Sequence, residues 1–207
     1  SHFCTAERQY RTPLEYGGQR TPTAQWTVTG AGAAVLEKRQ FPPYITHITT
    51  GKVIDFGVTD PNNMGGAMAP AAIDTLKAHF RDTKRSPKNY DLILTGDLGK
   101  VGREIVIDMM TAGGFDMEQN YNDTGCMIYD FETQDVHAGG SGCGCVAVTL
   151  CGYVFEMMKK GELNDVLILG TGALLSPTSS LQGESVPGIA HAISLSTTPG
   201  GGKNGLY

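Results

Sequence analysis

The sequence predicts a layered α/β fold, and three observations predict it. Short continuous apolar runs such as DLILTGD (91–97) and NDVLILGTGAL (164–174) have the length of buried strands. Alternating with such runs are stretches with apolar residues at helical spacing, as at Ala69, Ile73, Leu76 and Phe80. Glycine marks the changes of period; 28 of them mean that many backbone positions need a tight turn or a close approach.

Taken in order, residues 1–29 are polar and turn-rich, with EYGG and TPT, and predict loop with a short helix. TGAGAAVLEK (29–38) runs from small residues into an apolar strand, and Phe41-Pro42-Pro43 is the sharpest boundary in the chain. It divides the sequence into 1–42 and 43–207. YITHITTGKVIDFG (44–57) alternates and is β-branched, which predicts a strand. A helix follows over Ala69–Arg81, with Pro70 suited to its first turn. Ser86-Pro87 ends it. After the strand in 91–97, a helix over Leu98–Met110 runs through Val101, Ile105 and Met109, and CMIYD (126–130) predicts a short strand. Val146, Leu150, Val154 and Met157 give one apolar face to a helix over Cys143–Lys160, closing at Lys159-Lys160-Gly161. Strands are expected at 164–174 and 188–196, and a mobile tail over 199–207.

The formal net charge is −5, with no run of Lys or Arg longer than two, so nucleic acid and anionic membrane surfaces are not the expected partners. Five cysteines (Cys4, Cys126, Cys143, Cys145, Cys151) at irregular spacing do not make a disulfide framework and suit a reducing compartment. No apolar run approaches 18 residues and no signal pattern is present, so neither a membrane span nor a signal peptide is expected.

The densest chemistry is HAGGSGCGCV (137–146), just before a helix. Free backbone N–H groups at a helix N-terminus, approached by glycines, suit a carboxylate or phosphate. A tight strand-to-helix crossing would select the same small residues. A metal held by His137, Cys143 and Cys145 lacks a second ligand pair, and a nucleophilic Cys143 has only His137 nearby as a base. TGDLGKVG (95–102) lacks the spacing of a phosphate loop. Asp97, at a strand end, is a candidate pocket residue or else an N-cap for the helix after it. GTGALLSPTSSLQGES (170–185) brings Ser176 and Thr178 after another buried strand, as pocket wall or surface loop. Arg8, Arg11 and Arg20 belong to a solvated polar face, and His47, His79 and His191 take no assigned role.

Several stretches together resemble one family. TAERQYRTPLEYGGQRTPTAQWTVTGAGAAVL, KVIDFGVTD, AMAPAAIDT, YDLILTGDLGKVG, HAGGSGCGC and above all TGALLSPTSSLQGESVPGIAHAI are similar to the stage V sporulation protein AD family, within the thiolase-like superfamily. The resemblance covers nearly the whole chain, which looks like the C-terminal part of longer members. It implies a thiolase-like α/β fold with a mixed sheet and packed helices: 1–42 as the end of a first half and 43–207 as the second.

The resemblance also implies a binding protein for dipicolinic acid (pyridine-2,6-dicarboxylate). It would assist uptake into the developing spore with membrane proteins of the same operon, peripheral to the inner spore membrane. No cofactor is implied, and whether calcium enters with the ligand is left open. The implied ligand-binding residues are His137, Gly140, Ser141, Cys143, Asp97, Ser176 and Thr178, with no catalytic residue and no metal ligand. In ketoacyl-synthase III-like relatives a His follows the strand reading DLILT here, and an Asn sits in the turn reading GGSG. This chain has Gly96-Asp97 and Gly140-Ser141 there, so condensing activity is not expected. The superfamily's nucleophilic Cys belongs to the first half and is neither Cys143 nor Cys145. The alternatives are a scaffold subunit without a ligand and a degenerate acyltransferase. The segment alone is expected to be dimeric or poorly soluble.

Overall fold

The computed structural model describes residues 21–38 and 41–201. In chain order its elements are β1 (Trp26–Thr27), β2 (Tyr44–Thr49), α1 (Met64–Thr83), β3 (Leu92–Thr95), α2 (Gly99–Ala112), β4 (Tyr121–Asp123) and α3 (Thr124–Met127). Then come β5 (Gly140–Ser141), α4 (Cys143–Thr149), a π-helical segment (Leu150–Val154), α5 (Phe155–Lys160), β6 (Asp165–Ala173), α6 (Pro177–Leu181) and β7 (Gly188–Ser196).

Five strands form one mixed sheet in the order β2-β7-β6-β3-β4. β3 pairs parallel with β4 and β6, and β7 runs antiparallel to both of its neighbours. α1 and α2 cover one face, where Met68, Leu76, Phe80, Val106 and Met110 pack on Ile93, Leu167 and Leu169. The run from α4 to α5 covers the other, with Val154 and Met158 against Leu94, Val166 and Ile168. Side chains alternate across a strand, so Leu167 and Leu169 feed one core and Val166 and Ile168 the other. A separate two-stranded ribbon joins β1 to β5 in parallel, Trp26 opposite Gly140 and Thr27 opposite Ser141.

The strands expected at 164–174 and 188–196 form as β6 and β7, and 91–97 contains β3. Within 44–57 the strand stops at Thr49; only Ile54 pairs again, with Gly188. Other expectations are corrected. Residues 29–38 form no strand, because no neighbouring strand among the described residues offers the hydrogen bonds a strand needs. They lie along the helix instead: Ala33 O accepts from Cys151 Sγ at 3.7 Å, and a Cβ on Gly30 would overlap Val148. The strand expected at 126–130 forms earlier, as β4, because the Asp123 carboxylate accepts from Gly125 N at 2.9 Å and starts α3 there.

α1 begins before the expected Ala69, capped by Asn63 Oδ1 accepting from Gly66 N at 3.0 Å, and Pro70 lies inside it. α2 buries Gly102, Val106 and Met110, while Met109 is exposed. The face is chosen by a close helix crossing: a Cβ on Gly102 would lie 2.9 Å from Gly65 O, so only that stripe can approach α1. In the helix over 143–160, Met158 is buried in place of Met157. The wide π turn at Leu150–Val154 adds a residue and slips the apolar face by one position. The short helix expected in 1–29 and the tail over 199–207 fall largely outside the described residues.

At the end of the sheet where β3 begins, His79 is fully buried. Its Nδ1 lies 2.7 Å from Thr49 Oγ1 and its Nε2 2.7 Å from Tyr90 Oη, which in turn lies 2.9 Å from Ser194 Oγ. This network ties α1 to β2 and β7. Burial, with His47 and Arg85 adding to it, pushes the imidazole down to about 4.

Candidate functional site

Where β3, β4 and β6 end, the first residues of α2, α3 and α4 converge, and two aspartates stand between strands and helices. Asp97, two residues past β3, is half-buried. Its Oδ2 accepts from Gly142 N at 2.7 Å and from Ser141 Oγ at 3.1 Å, and its Oδ1 from Thr171 Oγ1 at 3.2 Å. Gly142, at φ +98°, is the N-cap of α4. The strand-to-helix turn of HAGGSGCGCV therefore does attract an anion, and that anion is the chain's own carboxylate.

The surroundings make this geometry rigid. The buried Gln25 donates from Nε2 to Asp97 O and to Gly140 O, both at 2.9 Å, so the β1–β5 ribbon is pinned to the end of β3. Gly96 has no side chain because a Cβ there would overlap Thr171 on β6. Gly140 is as confined: its Cβ would lie 2.8 Å from Val28.

Asp123, at the end of β4, is fully buried. It accepts from Leu98 N at 3.0 Å, Gly99 N at 2.8 Å, Gly125 N at 2.9 Å and Thr95 Oγ1 at 2.7 Å. It thus receives the N-termini of both α2 and α3, a role expected of Asp97 for α2. Burial pushes its carboxyl up to about 8, against the pull of its donors. Thr95 Oγ1 also lies 2.8 Å from the buried Tyr121 Oη. Thr124 Oγ1 lies 3.3 Å from Cys145 Sγ, and burial pushes the Cys145 and Cys126 thiols up to about 12. Those two thiols are therefore poor nucleophiles.

Of the residues singled out in the sequence, the structure brings together Asp97, Gly140 and Ser141, with the exposed Cys143 at the start of α4. His137 turns away, at φ 47°: Nδ1 donates to Thr21 O at 2.8 Å and Nε2 faces Asp135 Oδ1 at 3.2 Å. Both ring nitrogens are engaged, so it does not serve Cys143 as a base. Among the described residues no group of three or more His, Cys, Asp or Glu is placed to hold a metal ion. Ser176 caps the short α6, its Oγ accepting from Ser179 N at 3.5 Å, and Thr178 is exposed. No hydrogen bond joins either to the Asp97 group.

Gln25, Thr171 and Asp123 were not singled out. Asp123 stands before Thr-Gly and carries a helix-cap signature that escapes notice beside a strand expected at 126–130. Thr171 is one hydroxyl in a glycine-rich strand end, and nothing local marks Gln25. Between α3 and the run from α4 into the π-helical segment, Met127, Ile128, Val148, Thr149, Gly152 and Tyr153 line a largely apolar pocket of ≈ 370 Å³.

The family model for stage V sporulation protein AD matches residues 1–196. The chain belongs to the stage V sporulation protein AD family. It is 51% identical over 193 residues to stage V sporulation protein AD of Bacillus subtilis (strain 168), covering 93% of this chain and 57% of that relative. The chain thus spans little more than half the length of the curated family member it matches. Among solved structures it is similar to 3-oxoacyl-[acyl-carrier-protein] synthase III from Aquifex aeolicus VF5. The TM-score there is 0.40 and the identity 16%, over 76% of this chain and 54% of that one. It is also similar to MvaS in complex with 3-hydroxy-3-methylglutaryl coenzyme A, at TM-score 0.46 and 11% identity, over 78% of this chain and 41% of that one. The mixed sheet with packed helices expected of the family is observed, and the helices cover both faces. Among the described residues no helix is long and apolar enough to cross a membrane.

Proposed function

We propose that this sporulation protein is a non-catalytic small-molecule binder that takes dipicolinate and assists its uptake into the developing spore with membrane partners, peripheral to the inner membrane. One observation carries the non-catalytic part: the donors of the Ser141–Gly142 turn are spent on Asp97. Condensing chemistry needs preorganised donors aimed at a developing oxyanion, and a carboxylate in that position opposes negative charge. The ligand itself rests on family membership.

Cys143, exposed at the start of α4, meets the ligand, and the buried turn of Gly140 and Ser141 before it is held in shape by Asp97. Calorimetric titration of the full-length protein with dipicolinate tests this, with isophthalate, which lacks the ring nitrogen, as control. Saturable binding of dipicolinate alone is expected, weakened several-fold by Ser141→Ala. A dianion alone is repelled by Asp97, so Asp97→Asn should tighten it; if the calcium chelate is the bound form, the same variant should weaken binding measured with calcium present. No binding at millimolar ligand would overturn the reading in favour of a scaffold.

A further inference from the structure

Beyond the end of β6, two loops are joined into one surface. Ile54 N donates to Gly188 O and Gly188 N to Ile54 O, each at 2.8 Å. Val186 N donates to Val58 O at 2.8 Å, and Leu174 N to Pro187 O at 3.0 Å. Ser185 Oγ adds a bond to Asp55 Oδ2 at 2.6 Å. The loop after β2 and the loop between β6 and β7 are therefore one body. A groove of ≈ 320 Å³ is sunk into it, lined by Asp55, Leu174, Ser179, Glu184, Ser185 and Pro187.

Large apolar side chains stand out of this surface. Leu174 and Phe56 are each 70% exposed, and Leu181, closing α6, is 89% exposed. Scattered single apolar residues need no explanation, but several around one groove mark an interaction site. The charge on the rim says what kind. Asp55 and Glu184 are exposed there. The nearest cation in sequence, Lys52, is engaged with Asp74 at 3.3 Å. Hydrogen bonds from Ser185 and Gly57 N hold the Asp55 carboxyl below its ordinary value, so it stays charged through neutral and mildly acidic pH.

We infer that the groove between Asp55, Leu174 and Glu184 is a docking site for a protein segment that alternates bulky apolar side chains with Lys or Arg. The apolar chains would lie on Phe56, Leu174 and Leu181, and a cation would enter the groove between the two carboxylates. An anionic bilayer is a poor occupant, because the rim would repel its headgroups. The inference is independent of dipicolinate: it concerns another surface and stands or falls without the ligand.

Fluorescence anisotropy tests it, using the full-length protein and a labelled amphipathic Leu/Arg peptide, a Leu/Glu peptide of the same pattern, and phosphatidylglycerol vesicles. The Leu/Arg peptide is expected to bind at least tenfold more tightly than the Leu/Glu peptide, and to weaken as salt is raised. Glu184→Gln should cost about threefold, and Leu174→Ser with Leu181→Ser about tenfold, neither touching the Asp97 group. Equal binding of the two peptides, preference for the vesicles, or indifference to these variants would overturn the inference. So would slow maleimide labelling of Leu181→Cys in the full-length protein, which would mean that the rest of that protein already covers the surface.

Discussion

Asp97 and Asp123 close the same edge of the sheet from adjacent chain paths, and each accepts backbone N–H groups at the start of a helix. Asp123 is sealed, with all its donors from this chain's own backbone and Thr95. Asp97 is half-buried, and it accepts from the Ser141 and Thr171 hydroxyls and from Gly142 N. The same interaction is thus structural where water is excluded and exchangeable where it is not. A binding protein can place a ligand at the second kind of site and has to leave the first alone.

The largest effect should come from Asp123→Ala, which leaves three backbone N–H groups and the Thr95 hydroxyl facing a void. Buried donors without acceptors cost on the order of 1–3 kcal/mol each before relaxation, so a loss of about 4 kcal/mol is expected. A urea melt should show the midpoint falling with the slope unchanged. A loss below about 1 kcal/mol would erase the distinction between the two aspartates.

Next comes a dependence on pH that separates the two ends of β3. The folded chain keeps His79 neutral down to about 4, whereas its ordinary value is 6.5. That stabilisation is full above 6.5 and lost as the pH falls through about 4, roughly 3 kcal/mol at about 1.4 kcal/mol per pKa unit. Asp123 has the opposite sign: a carboxyl raised from 3.8 to about 8 favours the folded chain at low pH and gives that up as the pH rises through 8. Between pH 7 and pH 4 the native chain's advantage over His79→Gln should shrink, while its advantage over Asp123→Asn should grow. Parallel urea titrations of the three proteins measure both slopes. If they share a sign, one of the two assignments is wrong.

Asp97→Ala should cost about 1–2 kcal/mol, because water can reach the donors it releases. Smallest of all, Ser141→Ala or Thr171→Val should cost roughly 0.5–1 kcal/mol, since each removes one of several bonds to the same carboxylate. A loss from Asp97→Ala as large as that from Asp123→Ala would mean that the outer site is as structural as the inner one.

Much of this was legible in the residues. β6 and β7 follow their apolar runs because a strand buried on both faces is apolar throughout, and a short run of that kind has few other uses. Asp97 and Ser141 were marked by position, at a strand end and a glycine-rich turn. Their pairing was not, since 44 residues separate them and they come within 3.1 Å only where Gln25 ties the β1–β5 ribbon to the end of β3. His137 shows the opposite failure: it is close to Ser141 in sequence, but a left-handed backbone turns its ring toward Thr21 and Asp135.

By itself the sequence determined the α/β class, the strands that run through the core and the family, because periodicity and long shared motifs are properties of the chain order. The tertiary structure decided which helix face is buried, through the Gly65–Gly102 crossing and the π turn at Leu150–Val154. It also decided that the anion at the start of α4 is Asp97. Both depend on distances between residues far apart in the chain, and a carboxylate finds its donors only once the strands have set where the helices begin.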